Sequence, residues 1–360
     1  MKEVIFVAGG TGGHLLGSYA LGHYMEKENS KVSYIAGDRP LDYSLMPLDK
    51  TYHLRVSPFL GKSPLSLLKA IMVNIREGLK VFIYLLKKRP AFVLGTGGYV
   101  CGPVLLAAFL QGIPVYLLEQ NSVMGLTNKI LRFLAKKVFT GILPTDSSQK
   151  LLFSGNPLRK ELVEEYLRAA PQEEGPREKL KVLVFGGSLG AKEINDIVLF
   201  LYSEFTAFPL EIVHQCGVKQ LESFREEMKR VSPGHQDHTH KAFSFIDEMG
   251  TYYRWADVII SRSGASTVSE LLLFKKDVLF IPYPHHKDEH QLKNARFYER
   301  EVKGEASVMI GGGRDEIANY LLNLKEAIKK EEKKTFSSEK MYEQWKRPYQ
   351  IIFDEILKRE

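Results

Sequence analysis

EVIFVAGGTGGH, residues 3–14, is a short apolar run broken by glycines and closed by a histidine. Glu3–Ala8 reads as a buried β-strand, and Gly9-Gly10-Thr11-Gly12-Gly13 as the turn into a helix that runs to about Glu28. Glycines let main-chain amides approach a ligand closely, and the helix N-terminus behind them attracts anions. The motif lacks the Lys of a P-loop and fits GxGxxG only loosely, so by itself it equally describes a tight strand-to-helix turn. His14, at the lip of this loop, stands where an acid or base would act, although a lone histidine is more often structural.

The same device recurs outward from there. Ala91–Leu94 leads into GTGGY at 95–99, Val182–Phe185 into FGGSLG at 185–190, and Val258–Ile260 into SRSGASTVSEL at 261–271. Lys31–Ala36, Ile113–Leu118 and Val138–Phe139 read as further strands of a first series. Glu211–Gln215, Lys241–Phe245, Asp257–Ile260 and Val278–Ile281 form a second. Helical stretches intervene at Leu65–Lys88, behind Pro64, and at Val104–Gln111. Alternating strands and helices predict an α/β fold with parallel, doubly wound sheets. A chain of 360 residues exceeds one ordinary core, so two similar halves are expected, with the polar stretch Ala169–Lys181 as a surface loop near their boundary. The segment from Asp315 reads as a charged helical tail.

Ser and Thr residues at 261–269 suit the cap of a helix whose open amides hold phosphate. Glu270, about one turn in, could accept both hydroxyls of a ribose, or be a solvated helix residue. Two histidine clusters, His285–His290 and His235–His240, look metal-like, but neither has HExxH spacing, and no DxD pair is present to hold a divalent ion against a diphosphate.

Hydrophobic content of 44% and charged content of 26% belong to a globular chain and exclude disorder, collagen and coiled coil as the main architecture. The two cysteines, Cys101 and Cys216, make no disulfide framework and no zinc motif, which suits a reducing compartment. The N-terminal apolar run is too short for a signal peptide, and no run reaches the roughly 18 residues of a membrane span. A peripheral, cytoplasmic protein is expected. The net charge of +7 favours an anionic partner, yet no aromatic-basic motif for nucleic acid appears.

Most of that charge is local. Between Gly61 and Pro90, Lys62, Lys69, Arg76, Lys80, Lys87, Lys88 and Arg89 face a single acid, Glu77. Helical spacing places Leu68, Met72, Ile75, Leu79, Phe82 and Ile83 on one side of the same segment. Either this is a core-facing helix with a solvated rim, or an apolar patch ringed by cations that rests on anionic lipid; the charge density favours the patch.

Eight stretches taken together carry a resemblance: GGTGGH at 9–14, GTGGYVCGP at 95–103, EQNSVMGLTNK at 119–129, GNPLR at 155–159, GGSLGA at 186–191, FIDEM at 245–249, RSGASTVSE at 262–270 and HQLKNA at 290–295. In this order and spacing, over nearly the whole chain, the sequence resembles the MurG family of glycosyltransferases. That family moves N-acetylglucosamine from UDP-N-acetylglucosamine to an undecaprenyl-diphosphate-linked N-acetylmuramoyl-pentapeptide, forming lipid II for peptidoglycan.

The resemblance implies a GT-B fold: a Rossmann-like domain over 1–158, a second over 159–340, facing across a cleft, and a helix over 341–360 returning to the first. It implies that the Ile246 main chain reads uracil and that Glu270 holds the ribose. Ser188 and the helix start Ala265, Ser266, Thr267, Val268 and Ser269 would hold the diphosphate. Arg159, Asn121 and Gln291 would line the sugar and diphosphate, and Thr11, Gly12 and Gly13 would mark where donor and acceptor meet. His14 is the implied base for the acceptor 4-hydroxyl, with Glu119 as the second candidate, and Tyr99 and Asn128 on the acceptor side. Lys69, Met72, Ile75, Arg76, Leu79, Lys80 and Phe109 would form the patch on an anionic membrane. No metal or other cofactor is implied. Two departures from the family pattern are Leu189, where Gln is usual, and Leu118, where a polar residue is usual.

Overall fold

The computed structural model describes residues 3–58, 63–143, 148–169, 178–187, 190–284, 289–330 and 337–357. The chain divides into two compact units, Met1–Arg159 with Trp345–Glu360, and Lys160–Gln344.

The first unit holds β1 (Val4–Val7), β2 (Val32–Ala36), β3 (Thr51–His53), β4 (Val93–Gly95), β5 (Val115–Glu119), β6 (Lys137–Thr140) and β7 (Leu151–Phe153), in the order β3-β2-β1-β4-β5-β6-β7. The second holds β8 (Leu180–Phe185), β9 (Leu210–Gln215), β10 (Thr239–Phe243), β11 (Val258–Ser261), β12 (Asp277–Phe280) and β13 (Val308–Ile310), in the order β10-β9-β8-β11-β12-β13. Every pairing is parallel. In sequence rank both sheets run third, second, first, fourth, fifth, sixth, the first adding a seventh, so each is a Rossmann-like sheet with its direction of winding reversed between the first and fourth strands.

The helices are α1 (Gly12–Lys27), α2 (Pro40–Leu45), α3 (Pro64–Lys88), α4 (Cys101–Leu110), α5 (Leu126–Leu131), α6 (Lys160–Arg168), α7 (Lys192–Ser203), α8 (Leu221–Met228), α9 (Met249–Trp255), α10 (Ala265–Phe274), α11 (His290–Glu301), α12 (Arg314–Lys330) and α13 (Ser338–Leu357). Covered on both faces, the central strands are buried along their length. Period-two alternation sends Ile5 and Val7 of β1 into an aliphatic core with Val93 and Val115, while Phe6 meets Tyr34 and Phe92 on the other face. The second unit has its own core around Val182, Val184, Ile212, Val258 and Ile260.

Several boundaries differ from the sequence reading. β3, β7 and β13 are three-residue strands beside the sheet margins, too short to show a period. The chain crosses to the second unit at Lys160, ahead of the polar stretch, of which residues 170–177 lie outside the described residues. It returns within α13, where Tyr349 stacks on Tyr24 at 4.4 Å, and the Trp345 indole and Tyr349 hydroxyl both donate to the Leu158 carbonyl at 2.5 and 2.6 Å.

On α3 the apolar stripe is turned outward. Met72, Ile75 and Leu79 are 64%, 60% and 62% exposed, and Leu68, Ile83 and Leu86 are exposed with them. Ala70, Val81 and Leu85 make the core face instead. Phe82 leaves the expected stripe: it is half-buried and packs on the core, one residue round the helix from Ile83. Glu77 is a second surprise, being buried with Arg76 and Lys80 bonded to its carboxylate at 3.1 and 2.7 Å. Burial alone would raise its pKa, but these bonds outweigh that and hold it below the ordinary range.

Candidate active site

All four glycine-bearing loops leave strands that flank a winding reversal: 8–11 after β1, 96–100 after β4, 186–191 after β8, and 262–264 after β11. Ligands of such sheets bind outside these strand ends.

In the first unit the two loops are pressed together. A Cβ on Gly98 would meet the Gly9 carbonyl at 1.9 Å, and one on Gly9 would meet Val100 at 2.2 Å. Both Gly97 and Gly98 also have positive φ, so glycine is needed twice over. Thr96 donates its hydroxyl to the His14 carbonyl at 2.8 Å, and Gln120 reaches across to the Gly13 carbonyl at 2.8 Å. Thr11 is the exposed N-cap of α1 without a side-chain cap bond, and Gly12 and Gly13 open the helix.

His14 Nδ1 lies 3.3 Å from the Gly9 carbonyl. A carbonyl only accepts, so Nδ1 carries the proton and Nε2 presents its lone pair. A Cβ on Gly97 would come within 3.1 Å of Nε2, so the glycine keeps that edge of the ring accessible. Burial pushes the His14 pKa below the ordinary value of 6.5, against the opposing pull of the Glu119 charge and the Gly9 bond. The imidazole is therefore neutral at neutral pH and able to take a proton.

Glu119, the other candidate base, is buried and fully engaged. One carboxylate oxygen accepts from Asn121 N and Nδ2 at 3.0 and 3.3 Å, the other from Gly125 N and Asn128 Nδ2 at 3.0 and 2.9 Å. Four donors make it the anchor of the 119–128 loop, and its charge acts on His14. Asn121 and Asn128 are thus held by Glu119, and Asn128 borders Gly97 as His14 does. Tyr99 faces Gly10 at 3.5–3.6 Å from its would-be Cβ, with Arg39 over its ring at 4.6 Å. Arg159 ends the first of the two segments of this unit and is half-buried.

In the second unit, α10 starts at Ala265 behind Gly264 as N-cap. The expected Ser/Thr cap is not made: the Ser263 hydroxyl donates to the Gln291 carbonyl at 2.8 Å, and Ser269 bonds back to the Ala265 carbonyl at 2.8 Å. Val268 N–H is already used by the Gly264 carbonyl at 2.9 Å. The amides open to an anion are therefore those ahead of it, at Ala265, Ser266 and Thr267. Glu270 accepts a 2.7 Å bond from the buried Tyr253 hydroxyl. Gln291 turns its side-chain carbonyl to Tyr283 N at 2.9 Å. Ile246 N donates to Gln215 Oε1 at 2.8 Å, so any reading of a base by this residue falls to its carbonyl. Ser188, Leu189 and His285–Asp288 lie outside the described residues. The other histidine cluster is structural: His238 lies between the Leu210 amide and the Phe205 carbonyl at 2.9 and 2.7 Å. Among the described residues no group of three or more His, Cys, Asp or Glu is placed to hold a metal ion.

Residues 4–140 match the glycosyltransferase family 28 N-terminal domain and residues 181–347 its C-terminal domain. A protein of Shewanella woodyi named UDP-N-acetylglucosamine--N-acetylmuramyl-(pentapeptide) pyrophosphoryl-undecaprenol N-acetylglucosamine transferase is 37% identical over 82% of this chain and 80% of its own. One of the same name from Myxococcus xanthus is 36% identical over 85% and 82%. The crystal structure of Acinetobacter baumannii MurG superposes with a TM-score of 0.74 at 26% identity, covering 99% of this chain and all of that one. The chain belongs to the MurG family. A UDP-GlcNAc 2-epimerase of Neisseria meningitidis, at 16% identity and TM-score 0.60, shares the fold alone. With the two Rossmann-like sheets, these neighbours give the GT-B glycosyltransferase class.

Sequence reasoning missed Gln120, Gln215 and Tyr253. Gln120 stands inside the 119–129 stretch and the other two outside every quoted stretch, and the role of each comes from a partner brought close only by the fold.

Proposed function

We propose that the chain transfers N-acetylglucosamine from UDP-N-acetylglucosamine to the 4-hydroxyl of lipid-linked N-acetylmuramoyl-pentapeptide, with inversion at the anomeric carbon. The observation that carries this reading is His14: a neutral imidazole, its Nδ1–H fixed on Gly9, its Nε2 kept open by Gly97, in a chain of this family.

The acceptor hydroxyl oxygen bonds to C1 of the sugar as its proton passes to His14 Nε2. The bond from C1 to the diphosphate oxygen breaks, and its electron pair leaves on UDP. The open amides of Ala265, Ser266 and Thr267, with the positive end of α10, stabilise that charge. Such stabilisation does not call for a metal ion, and we assign none. Glu270 takes the ribose hydroxyls, oriented by Tyr253. Glu119 holds Asn121 and Asn128 beside the acceptor.

The acceptor is lipid-anchored, so the enzyme works at a membrane surface, here the cytoplasmic face. No helix among the described residues is long and apolar enough to cross a membrane. The outward stripe of α3 with Lys69 and Lys87, continued by exposed Leu106, Phe109 and Leu110 on α4, which packs against α3, supports peripheral contact with anionic lipid.

The test is direct. Labelled UDP-N-acetylglucosamine incubated with the lipid-linked acceptor should yield labelled disaccharide lipid and UDP. No label in lipid, under conditions where the protein binds UDP, would leave a nucleotide-sugar binder in place of a transferase.

A further inference from the structure

Gln215, the last residue of β9, is buried and touches two loops at once. Its Oε1 accepts from Ile246 N at 2.8 Å, and its Nε2 donates to the Gly187 carbonyl at 3.1 Å. The Gly187 carbonyl also accepts from Gly190 N at 3.1 Å. Gly190 in turn lies on the main chain next to Gln215: a Cβ there would meet the Cys216 carbonyl at 2.0 Å. Cys216 N donates to the Phe243 carbonyl at 3.0 Å, at the root of the segment that carries Ile246. The end of β9 is therefore a floor under both loops, and the Gln215 side chain bonds to both.

We infer that Gln215 is a positioning residue that couples the base-reading loop around Ile246 to Gly187 and Gly190 on the diphosphate side, so that uridine and diphosphate are recognised as one ligand. This rests on the donor site proposed above. The logic is geometric. A nucleoside diphosphate spans a bounded distance between base and phosphates, and the two loops that meet its ends are carried by different strands. A single amide bonded to both fixes their separation before the ligand arrives, so the ordering cost is met in the fold and not on binding. The amide's two ends fit their tasks without ambiguity: the carbonyl oxygen can serve only the N–H, and the NH₂ only the carbonyl. With Ile246 N–H engaged, its carbonyl is left as an acceptor. Uracil, with a donor at N3, matches an acceptor; cytosine, with a lone pair there, does not.

Gln215→Met in the full chain tests the coupling, with UMP and UDP as the probes. Titration calorimetry on wild type gives the factor by which the second phosphate tightens binding. In the variant that factor should fall roughly tenfold, the worth of about one hydrogen bond to a pre-set site, and the KM for UDP-N-acetylglucosamine should rise while kcat at saturating donor holds. Hydrogen exchange should quicken at 186–190 and 244–249 together and stay unchanged elsewhere in Lys160–Gln344, which separates lost coupling from a misfolded unit. UMP and UDP weakening by the same factor would overturn the coupling. Tighter UDP binding would overturn it too, since Gln215 would then be a place-holder that uracil displaces. A wild-type chain that does not bind UDP at all would instead fail the donor-site reading itself, and the coupling with it.

Discussion

The Tyr253 hydroxyl donates a 2.7 Å bond to Glu270 from a position without solvent exposure, between the rings of Phe185 and Phe274. α9 thereby sets the direction of a carboxylate carried on α10. A hydrogen bond to a charged group contributes about 1.5–3 kcal/mol, and a ribose held by Glu270 would draw on that range. Glu270→Ala should raise the donor KM by one to two orders of magnitude. Tyr253→Phe, which removes only the orienting bond, should raise it about three- to tenfold. Because the phenol acts through the carboxylate, Tyr253→Phe should add little in the Glu270→Ala background, and steady-state kinetics on the double-mutant cycle will read that. Additive effects would separate the two residues.

His14→Ala should lower kcat by roughly 10²–10⁴ with little change in donor affinity, as for loss of a general base. The pH profile of the wild type carries a sign. The base works only when unprotonated, so kcat rises with pH through the pKa of His14. Burial has moved that pKa below 6.5, so the rise should lie on the acid side of 6.5 and be complete at neutrality. A rise centred above 7 would assign it to another group.

Chelation gives a third test. Helix amides and the α10 dipole can carry the leaving charge, so turnover should survive EDTA. Full loss restored by Mg²⁺ or Mn²⁺ would place a metal in the mechanism and direct attention to His285–Asp288.

A histidine pair, His214 buried and His240 half-buried, makes the second unit sensitive to acid. His214 Nε2 bonds to Asn195 at 2.9 Å, while its Nδ1 and His240 Nε2 are buried without a partner, the rings 5.8 Å apart. Burial, and for His214 also the neighbouring imidazole, pushes their pKa values down to about 3 and about 4. As pH falls through 6.5 the unfolded chain takes up these protons and the folded chain does not. The unfolded state then binds more protons, so stability, full above 6.5, drops between 6.5 and 4. His240→Phe removes one such group from an aromatic setting beside Phe224. Thermal unfolding should show the variant more stable than wild type at pH 5, by about 2–4 °C per kcal/mol, and nearly equal at pH 8. Parallel curves at both pH values would assign the acid sensitivity elsewhere.

Legibility in the sequence followed where the physics is local. The glycine loops announce themselves because Gly9, Gly97 and Gly98 meet backbone requirements that no other residue satisfies. Strands such as β1 and β5, buried on both faces, read as continuous apolar runs. What stayed hidden is long-range. Gln120 finds the Gly13 carbonyl 107 residues away, and the 119–129 stretch in which it stands does not point to that partner. The four donors that converge on Glu119 from Asn121, Gly125 and Asn128 are likewise invisible in the sequence. Phe82 and Ile83 differ by one step round α3, less than a helical wheel resolves at the edge of a stripe.

Peripheral binding can be tested on α3 without disturbing its core face. Arg76 and Lys80 are poor choices for charge reversal, because both bond to buried Glu77 and their loss would leave that carboxylate unpaired. Lys69 and Lys87 are exposed and carry no such duty. Each cation near an anionic surface contributes about 1 kcal/mol. Lys69→Glu with Lys87→Glu reverses two, so affinity for anionic vesicles should fall by more than an order of magnitude, and added salt should weaken wild-type binding as the screening length shortens to about 8 Å. Met72→Gln, Ile75→Gln and Leu79→Gln together remove the apolar contribution from residues already facing water, so the fold should be unaffected. The triple variant should stay in the supernatant when vesicles are sedimented, yet turn over a water-soluble acceptor analogue at the wild-type rate. Co-sedimentation equal to wild type in both variants would mean that this stripe is not the membrane face.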